Sequence, residues 1–192
     1  MIKGREIIYL SFFQLILFCS CGRSEQYDIS ERPKVSNVVE LQDWIQNNQT
    51  KLINTRELGG LELRVKYLPS TEETSSEFSF LLNIAPQKQE NLFAKPNEFF
   101  PSNESKMMYW SSGIQRQLTL ITDKDTIPCT LVIYENTGNI RNDLSVNIGF
   151  SSQKTGHKKF TLVYDDIYFG LGRLNFTFDQ IINNIPLIQP SN

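Results

Sequence analysis

Histidine is nearly absent from this chain, and its scarcity excludes several kinds of site. His157 is the only histidine among 192 residues, so no zinc site built from several histidines can form. A Ser-His-Asp or Cys-His catalytic arrangement would have to use this one imidazole. His157 lies in the polar, glycine-containing segment KTGHKK, which predicts a solvated side chain in a loop.

The chain also has no excess of basic residues. Nineteen lysines and arginines stand against 21 aspartates and glutamates, and the formal net charge is −2. Proteins bind nucleic acids through clustered positive charge, whereas these basic residues are scattered. We therefore expect no nucleic-acid partner.

Several motifs of enzymatic and cofactor sites are missing as well. The sequence contains no G-x-S-x-G elbow, no phosphate-binding G-x-x-x-x-G-K-[ST] loop and no C-x-x-C pair. Gly170-Leu171-Gly172 supplies only part of a dinucleotide fingerprint, and we interpret it as a hairpin turn. We expect no cofactor, and one histidine with few cysteines predicts no transition-metal site.

The first 20 residues have the organisation of a signal peptide. Lys3 and Arg5 form a charged start, and an apolar run of about a dozen residues follows over 7–18. A helix needs about 20 apolar residues to span a bilayer, and polar residues interrupt this run. Two interpretations of this segment are a helix that is retained and spans the membrane, and an ordinary secretory signal that is cleaved without lipid attachment. A third follows from its last residues.

The end of this segment, Phe18-Cys19-Ser20-Cys21, resembles the signal of bacterial lipoproteins. In that family a small residue precedes a cysteine that becomes the first residue of the mature chain. Ser20 before Cys21 fits this pattern, whereas the bulky Phe18 before Cys19 does not. Phe18 also stands where the family usually has an aliphatic residue, which is a departure from the pattern.

The resemblance implies that Cys21 is the lipidation site. Its sulfur would carry a diacylglycerol group, cleavage before it would discard Cys19, and two or more acyl chains would hold the protein on a membrane. Cys129 would then be the last thiol of the three cysteines, so no disulfide could form within the chain. We predict that Cys129 is a small apolar residue entering a strand.

The remaining chain is predicted to be a tether followed by one domain. Residues 21–36 are polar and contain Pro33, which is typical of a flexible linker. Residues 37–192 are long enough for a single domain with its own core. The segment NVVELQDWIQNN predicts a short helix, with Asn37 as its N-cap and Glu40 completing a capping box.

From about residue 50 the apolar residues recur at every second position, which is typical of half-buried strands. At least six segments show this pattern, among them LELRVKY, FSFLLNI, LSVNIGF and the pair KKFTLVY and RLNFTF. No long helical segments separate them, so antiparallel pairing is favoured over a parallel α/β sheet. We predict a mainly β fold, an antiparallel β-sandwich with a short N-terminal helix.

The segment from 86 to 113 shows no clear period, and we expect a long excursion over one end of a sheet. It carries four aromatic residues that could form a platform for a sugar or a protein, although covering the core is the favoured interpretation. These residues are Phe99, Phe100, Tyr109 and Trp110.

Two carboxylate pairs, Asp123 with Asp125 and Asp165 with Asp166, are candidates for glycoside hydrolysis or calcium binding. Both chemistries need carboxylates at a defined separation. Each pair adjoins a predicted turn, where aspartate commonly bonds the backbone, so the turn role is the favoured interpretation.

The lipobox, the Trp-bearing helix, the Tyr67-Leu68-Pro69 end of an early strand and the closing segment YDDIYFGLGRLNFTF together resemble small lipoproteins of unknown function from Bacteroidota. The resemblance implies a non-enzymatic binding or assembly module, anchored by lipid in the cell envelope. We expect the outer membrane as its location, on the periplasmic or outward face, and an envelope protein as its partner. The alternative is an envelope glycan hydrolase that uses its paired carboxylates.

Overall fold

The computed structural model describes five stretches of the chain, residues 32–70, 77–135, 142–153, 159–179 and 185–188. The predicted signal peptide, Cys19, Cys21, the first part of the predicted tether and His157 lie outside these stretches. Among the described residues, no helix has the length and apolar character needed to cross a membrane.

Strands dominate the described chain, as the alternation of apolar residues predicts. In chain order the elements are β1 (Lys34–Val35), α1 (Val38–Asn47), α2 (Gln49–Leu52), β2 (Ile53–Leu58), β3 (Leu61–Leu68), β4 (Glu77–Pro86), α3 (Asn103–Ser111), a 3-10 helix (Gly113–Gln117), β5 (Leu118–Thr122), β6 (Thr126–Pro128), β7 (Leu131–Glu135), β8 (Leu144–Ser151), β9 (Lys159–Asp166), β10 (Gly172–Asp179) and β11 (Leu187–Ile188).

The longer strands form two antiparallel sheets. The first sheet has the order β2-β3-β4-β8-β7, and the second has the order β10-β9-β5-β6. The chain passes from the first sheet to the second through α3 and the 3-10 helix. The predicted fold, a mainly β antiparallel sandwich with a short N-terminal helix, is confirmed.

The period-two pattern determines which side chains lie between the sheets. In β3, Leu61, Leu63, Val65 and Tyr67 are buried, while Arg64 on the opposite face is exposed. Strands β4, β8, β9 and β10 repeat this arrangement and contribute the largest buried rings: Phe80, Phe150, Phe160, Tyr164 and Phe176.

Aromatic rings from the two sheets contact one another and fill the middle of the sandwich. The ring centroid of Phe80 in β4 lies 5.5 Å from that of Phe160 in β9 and 5.8 Å from that of Phe178 in β10. Tyr67 in β3 lies 4.9 Å from Phe160. Such pairs contribute packing energy beyond the area that they bury, so the two sheets are held face to face.

One side of the sandwich is closed where the chain moves directly from β6 to β7. The Thr130 N–H donates to the Gly149 carbonyl at 2.9 Å, and the buried Cys129 thiol lies 3.3 Å from the Leu131 carbonyl. Burial raises the pKa of Cys129, so the thiol stays protonated near neutral pH. The prediction that Cys129 is a small buried residue is confirmed, although it lies between two strands.

The predicted N-terminal helix is α1. The side chain of Asn37 accepts the Glu40 backbone N–H at 3.0 Å, as expected of an N-cap. The other half of the predicted capping box differs, because the Glu40 carboxylate accepts the N–H and the hydroxyl of Ser36 instead. Leu41 is buried under the helix, whereas Val38 is half exposed.

The two ends of the described chain meet in a parallel pair. Lys34 and Val35 of β1 are in register with Leu187 and Ile188 of β11, and Arg32 donates to the Ile185 carbonyl at 3.0 Å. Residues 32–36, the last part of the predicted tether, therefore contact the domain, and the prediction of a flexible linker is wrong for them.

Candidate binding groove

The turn between β9 and β10 is organised by one buried carboxylate, Asp166. Its side chain accepts the Tyr164 hydroxyl at 2.7 Å and the backbone N–H groups of Tyr168, Phe169 and Leu171 at 2.8–3.2 Å. Buried carboxylates are stable only when donors surround them, and this one has four. The interpretation of Asp166 as a turn residue is confirmed.

Two glycines in this turn adopt a backbone conformation that other residues rarely take. Gly170 and Gly172 have φ angles of 71° and 72°, in the left-handed region where a Cβ is unfavourable. This geometry lets the chain reverse while Leu171 donates to Asp166. The Gly-Leu-Gly segment is a hairpin turn, as predicted.

Asp165 and Asp166 do not converge on one site. They are consecutive residues of β9, so their side chains point to opposite faces. Asp166 is 3% exposed, whereas Asp165 is on the surface, where its Oδ1 lies 3.9 Å from Nε of Arg173. The distance that glycoside hydrolysis requires between two free carboxylates is therefore not provided by this pair.

The second pair, Asp123 and Asp125, lies in the tight turn between β5 and β6. The Asp125 N–H donates to the Thr122 hydroxyl at 2.8 Å, and the Asp125 carboxylate accepts the Thr126 N–H at 2.9 Å. These local bonds are typical of aspartate in turns. Across the five described stretches, no three or more His, Cys, Asp or Glu side chains cluster as metal ligands would.

The segment from 86 to 113, which the sequence left unassigned, contains α3. Ser102 caps this helix, since its hydroxyl accepts the Ser105 N–H at 3.0 Å and the Ser105 hydroxyl accepts the Ser102 N–H at 3.1 Å. This reciprocal arrangement is a capping box. Pro101 lies directly before this N-cap, outside the helix.

Lys106 attaches α3 to the preceding loop. Its ammonium group is buried and donates to the carbonyls of Phe93 at 2.8 Å and Lys95 at 2.6 Å. The same nitrogen lies 5.9 Å above the Phe93 ring, where the ring quadrupole favours a cation. No carboxylate in the described stretches pairs with Lys106, so carbonyl dipoles and this ring stabilise the charge.

Two of the four aromatic residues predicted in this segment cover the core. Tyr109 and Trp110 are buried, and their rings lie 5.4 Å and 4.9 Å from the ring of Tyr168 in the β9–β10 turn. Phe100 is half-buried against Tyr109 at 4.6 Å. Phe99, by contrast, is 77% exposed, so the core-covering interpretation does not hold for this residue.

A chain of phenols links α3 to the buried carboxylate. The hydroxyls of Tyr109 and Tyr164 are 3.4 Å apart, and Tyr164 donates to Asp166. Burial is the main reason that the pKa of Tyr109 and of Tyr164 is raised above the usual value. Both phenols therefore stay neutral at physiological pH, and the chain fixes α3 against the second sheet.

An open groove of about 490 Å³ runs beside α3. One wall is the face of α3 that carries Ser105, Met108 and Ser112, and Phe99 and Phe100 also line the space. Ile167 from the β9–β10 turn also lines this space. We name it the α3 groove.

The α3 groove exposes several large apolar side chains side by side. Phe99 is 77% exposed, Met108 is 65% exposed and Ile167 is 43% exposed. Single exposed apolar residues are ordinary, whereas a contiguous group lining a concave surface marks an interaction site. Hydrogen bonds through Asp166, Tyr164 and Tyr109 hold α3 and the β9–β10 turn together, so this part of the groove is preformed.

A second, smaller cavity of about 260 Å³ lies near the loop that Lys106 holds, and Lys95, Asn97 and Tyr168 are among the residues that line it. The Asn97 side chain donates to the Tyr168 carbonyl at 2.7 Å across this region. The polar groups of this cavity thus stabilise the loop, so the α3 groove is the stronger candidate for a binding site.

Sequence reasoning identified Phe99, Phe100 and Tyr109 but missed Met108, Ile167 and Lys106. One available signal was the pattern Phe-Phe-Pro-Ser, in which an aromatic pair immediately precedes a helix cap. The spacing of Ser105, Met108 and Ser112 places them on one helix face, but this mixture of serine and methionine does not stand out as an amphipathic stripe.

Comparison with protein-family models, with curated proteins and with solved structures finds no match for this chain. The arguments for function therefore depend on the geometry of the α3 groove and on the sequence of the leader.

Proposed function

We propose that this protein is a lipid-anchored module of the bacterial cell envelope that binds a protein partner through the α3 groove and catalyses no reaction. The observation that carries the proposal is the exposure of Phe99 and Met108 in the lining of the α3 groove. Burying these two side chains in a complex would remove apolar surface from water, which is the main driving force of most protein association.

The leader supports the anchor in this proposal. Ser20-Cys21 matches the lipoprotein pattern, and lipid on Cys21 would keep the domain at its membrane, where we place it on the outer membrane of the envelope. Two acyl chains give stable anchoring, whereas one holds only marginally.

The arrangement of the carboxylates argues for binding rather than glycan hydrolysis. Asp166 is surrounded by donors from its own turn, and Asp165 lies on the opposite face of β9. A hydrolase would need one acid and one base facing the same glycosidic bond. The hydrolase alternative predicts glycan turnover that is lost in Asp165→Asn or Asp166→Asn.

The groove can be tested by site-specific photo-crosslinking in intact cells. A photoreactive residue at position 99 should crosslink one partner protein, and the same residue at Arg64, on the outer face of β3, should not. Met108→Glu should abolish the crosslink at position 99, because a charge in the groove opposes burial.

Met107→Glu is the matched control, since Met107 is also exposed but does not line the groove. The binding proposal fails if Met107→Glu and Met108→Glu have equal effects, if position 99 yields no crosslink, or if the purified protein hydrolyses glycans.

The anchor is tested by intact mass. Cys21→Ala should remove the lipid, while Cys19→Ala should leave the mature mass unchanged because Cys19 departs with the signal peptide. A mature chain that begins at another, unmodified residue would contradict the anchor and favour a retained helix or an ordinary secretory signal.

A further inference from the structure

The length of the α3 wall of the groove suits a short extended chain. Ser105, Met108 and Ser112 lie along one wall, and a helix rises about 1.5 Å per residue, so Ser105 and Ser112 are about 10 Å apart along the axis. An extended peptide advances about 3.3 Å per residue. The wall therefore matches about three residues of extended chain.

The two ends of this groove carry opposite charges. Glu104 lies in the first turn of α3, and Arg116 lies in the 3-10 helix that follows its last turn. Both side chains line the groove and both residues are exposed. Neither forms an ion pair with any residue in the described stretches, so both charges are available to a ligand.

The serine hydroxyls of the wall are already engaged within the protein. Ser105 donates to the Ser102 carbonyl at 2.8 Å, and Ser112 donates to the Met108 carbonyl at 3.0 Å. The charged groups of Glu104 and Arg116 are therefore the stronger polar features of the lining. The carboxylate of a fatty acid would pair with Arg116. Glu104 would then lie beside a ligand that is anionic or apolar and offers it no opposite charge.

We propose that the α3 groove binds a short extended peptide segment of the partner protein, with a basic side chain at the Glu104 end, apolar side chains in the middle and an acidic group at the Arg116 end. This inference rests on the proposed function of the same groove. Complementary charges select such a segment and fix its register, while Phe99, Met108 and Ile167 contact its apolar side chains.

The test measures binding of fluorescent tetrapeptides to the full chain by anisotropy. Two probes carry mixed charges, acetyl-Lys-Leu-Phe-Glu-amide and the form with the charges exchanged, acetyl-Glu-Leu-Phe-Lys-amide. The other two carry like charges, acetyl-Lys-Leu-Phe-Lys-amide and acetyl-Glu-Leu-Phe-Glu-amide. The mixed-charge peptide in its better order should bind about fivefold more tightly than either like-charged peptide, because each exposed ion pair contributes modestly to affinity.

Charge reversal at either end should change this preference in a defined direction. Arg116→Glu should make the doubly basic peptide the tightest ligand, and Glu104→Arg should do the same for the doubly acidic peptide. Lys88→Glu changes the net charge as much as Arg116→Glu does, but it lies outside the groove and should leave the order of affinities unchanged. Because Glu104 also complements the amino end of α3, Glu104→Gln provides a milder variant, which should abolish discrimination between the mixed and doubly acidic peptides.

The proposal is overturned if none of the peptides binds at millimolar concentration, if all bind equally, or if Lys88→Glu changes the preference as Arg116→Glu does. Binding of dodecanoate in place of the peptides would also overturn it and would assign the groove to acyl chains. If the peptides fail while the crosslink at position 99 still depends on Met108, the peptide inference falls and the proposed binding function stands.

Discussion

The β5–β6 turn and the β9–β10 turn lie at opposite ends of the second sheet. Their sequences look similar, but their aspartates differ in burial and in hydrogen bonding. The register of β5 and β9 places the Asp123–Asp125 turn beside the start of β9, whereas Asp166 lies at its end. Both turns contain two aspartates. Asp125 is exposed and its carboxylate accepts the adjacent Thr126 N–H, whereas Asp166 is buried and connects the β9–β10 turn with Tyr164 and, through Tyr109, with α3.

This difference shows that burial, and not the turn motif, determines how much an aspartate contributes to the free energy of unfolding. In an exposed turn, water replaces a lost hydrogen bond at little cost. In a buried turn, each donor left without an acceptor bears its full desolvation penalty. The end of the sheet with the buried carboxylate is also the end that carries the α3 groove.

The largest expected effect comes from removing the buried carboxylate. Asp166→Ala should lower the free energy of unfolding by about 3–5 kcal/mol, because it leaves several buried N–H groups and the Tyr164 hydroxyl without an acceptor. Asp125→Ala in the exposed turn should cost less than about 1 kcal/mol. Urea unfolding of both variants measures the contrast, and equal losses would refute it.

A second prediction concerns the core between the sheets, where Tyr67 packs against Phe160. Burial raises the pKa of Tyr67 to about 12, while the unfolded chain titrates near 10. The neutral Tyr67 phenol therefore makes its full contribution to the free energy of unfolding, about 3 kcal/mol, below pH 10. This contribution is lost as the pH rises through 12. Tyr67→Phe should reduce the alkaline loss by about this amount, while the buried Tyr109 and Tyr164 supply the remainder, and it should leave the profile below pH 9 unchanged. An unchanged alkaline slope in the variant would show that Tyr67 is not its source.

A smaller effect is expected at the loop beside the groove. Lys106→Met removes two charge-assisted hydrogen bonds and should cost about 1–2 kcal/mol. Amide exchange over residues 91–97 should become faster, since this loop loses its attachment to α3. Lys95→Met is the control, because its ion pair with Glu90 is exposed and contributes little. Faster exchange in the control alone would disprove the role of Lys106.

The smallest effect is expected from reducing agents. Among the described residues Cys129 is the single cysteine, and it is buried, so no bridge within the domain can be broken. Dithiothreitol should leave the melting temperature unchanged. A shift that depends on the reductant would reveal a bridge between chains and require Cys129 to be exposed.

The sheets were predictable because their residues alternate. Leu63 and Val65 bury one face of β3 while Arg64 occupies the other, and this local pattern needs no knowledge of distant contacts. The helix cap at Asn37 was equally local. These signals suffice for fold class, and they also place the β9–β10 turn.

The groove was not predictable in the same way. Phe99 and Phe100 are neighbours of identical chemistry, yet one is exposed and the other packs against Tyr109. Which ring turns inward depends on the position of α3, and that position depends on Lys106 and on the Tyr164 hydroxyl. The Lys106 bonds join residues 11 and 13 positions apart and the Tyr109–Tyr164 contact joins residues 55 positions apart, so neither is reported by a pattern within one helix or strand.

The pairing of β1 with β11 has a consequence for the order in which the molecule is completed. Val35 is among the first described residues to be synthesised, and its partner Ile188 is among the last. During synthesis the chain can assemble both sheets while β1 still has no partner strand. The contacts nearest the proposed anchor would thus form last, so loss of the segment that contains Ile185 and Leu187 would loosen the attachment of the domain to its membrane-proximal end before it disturbed the groove.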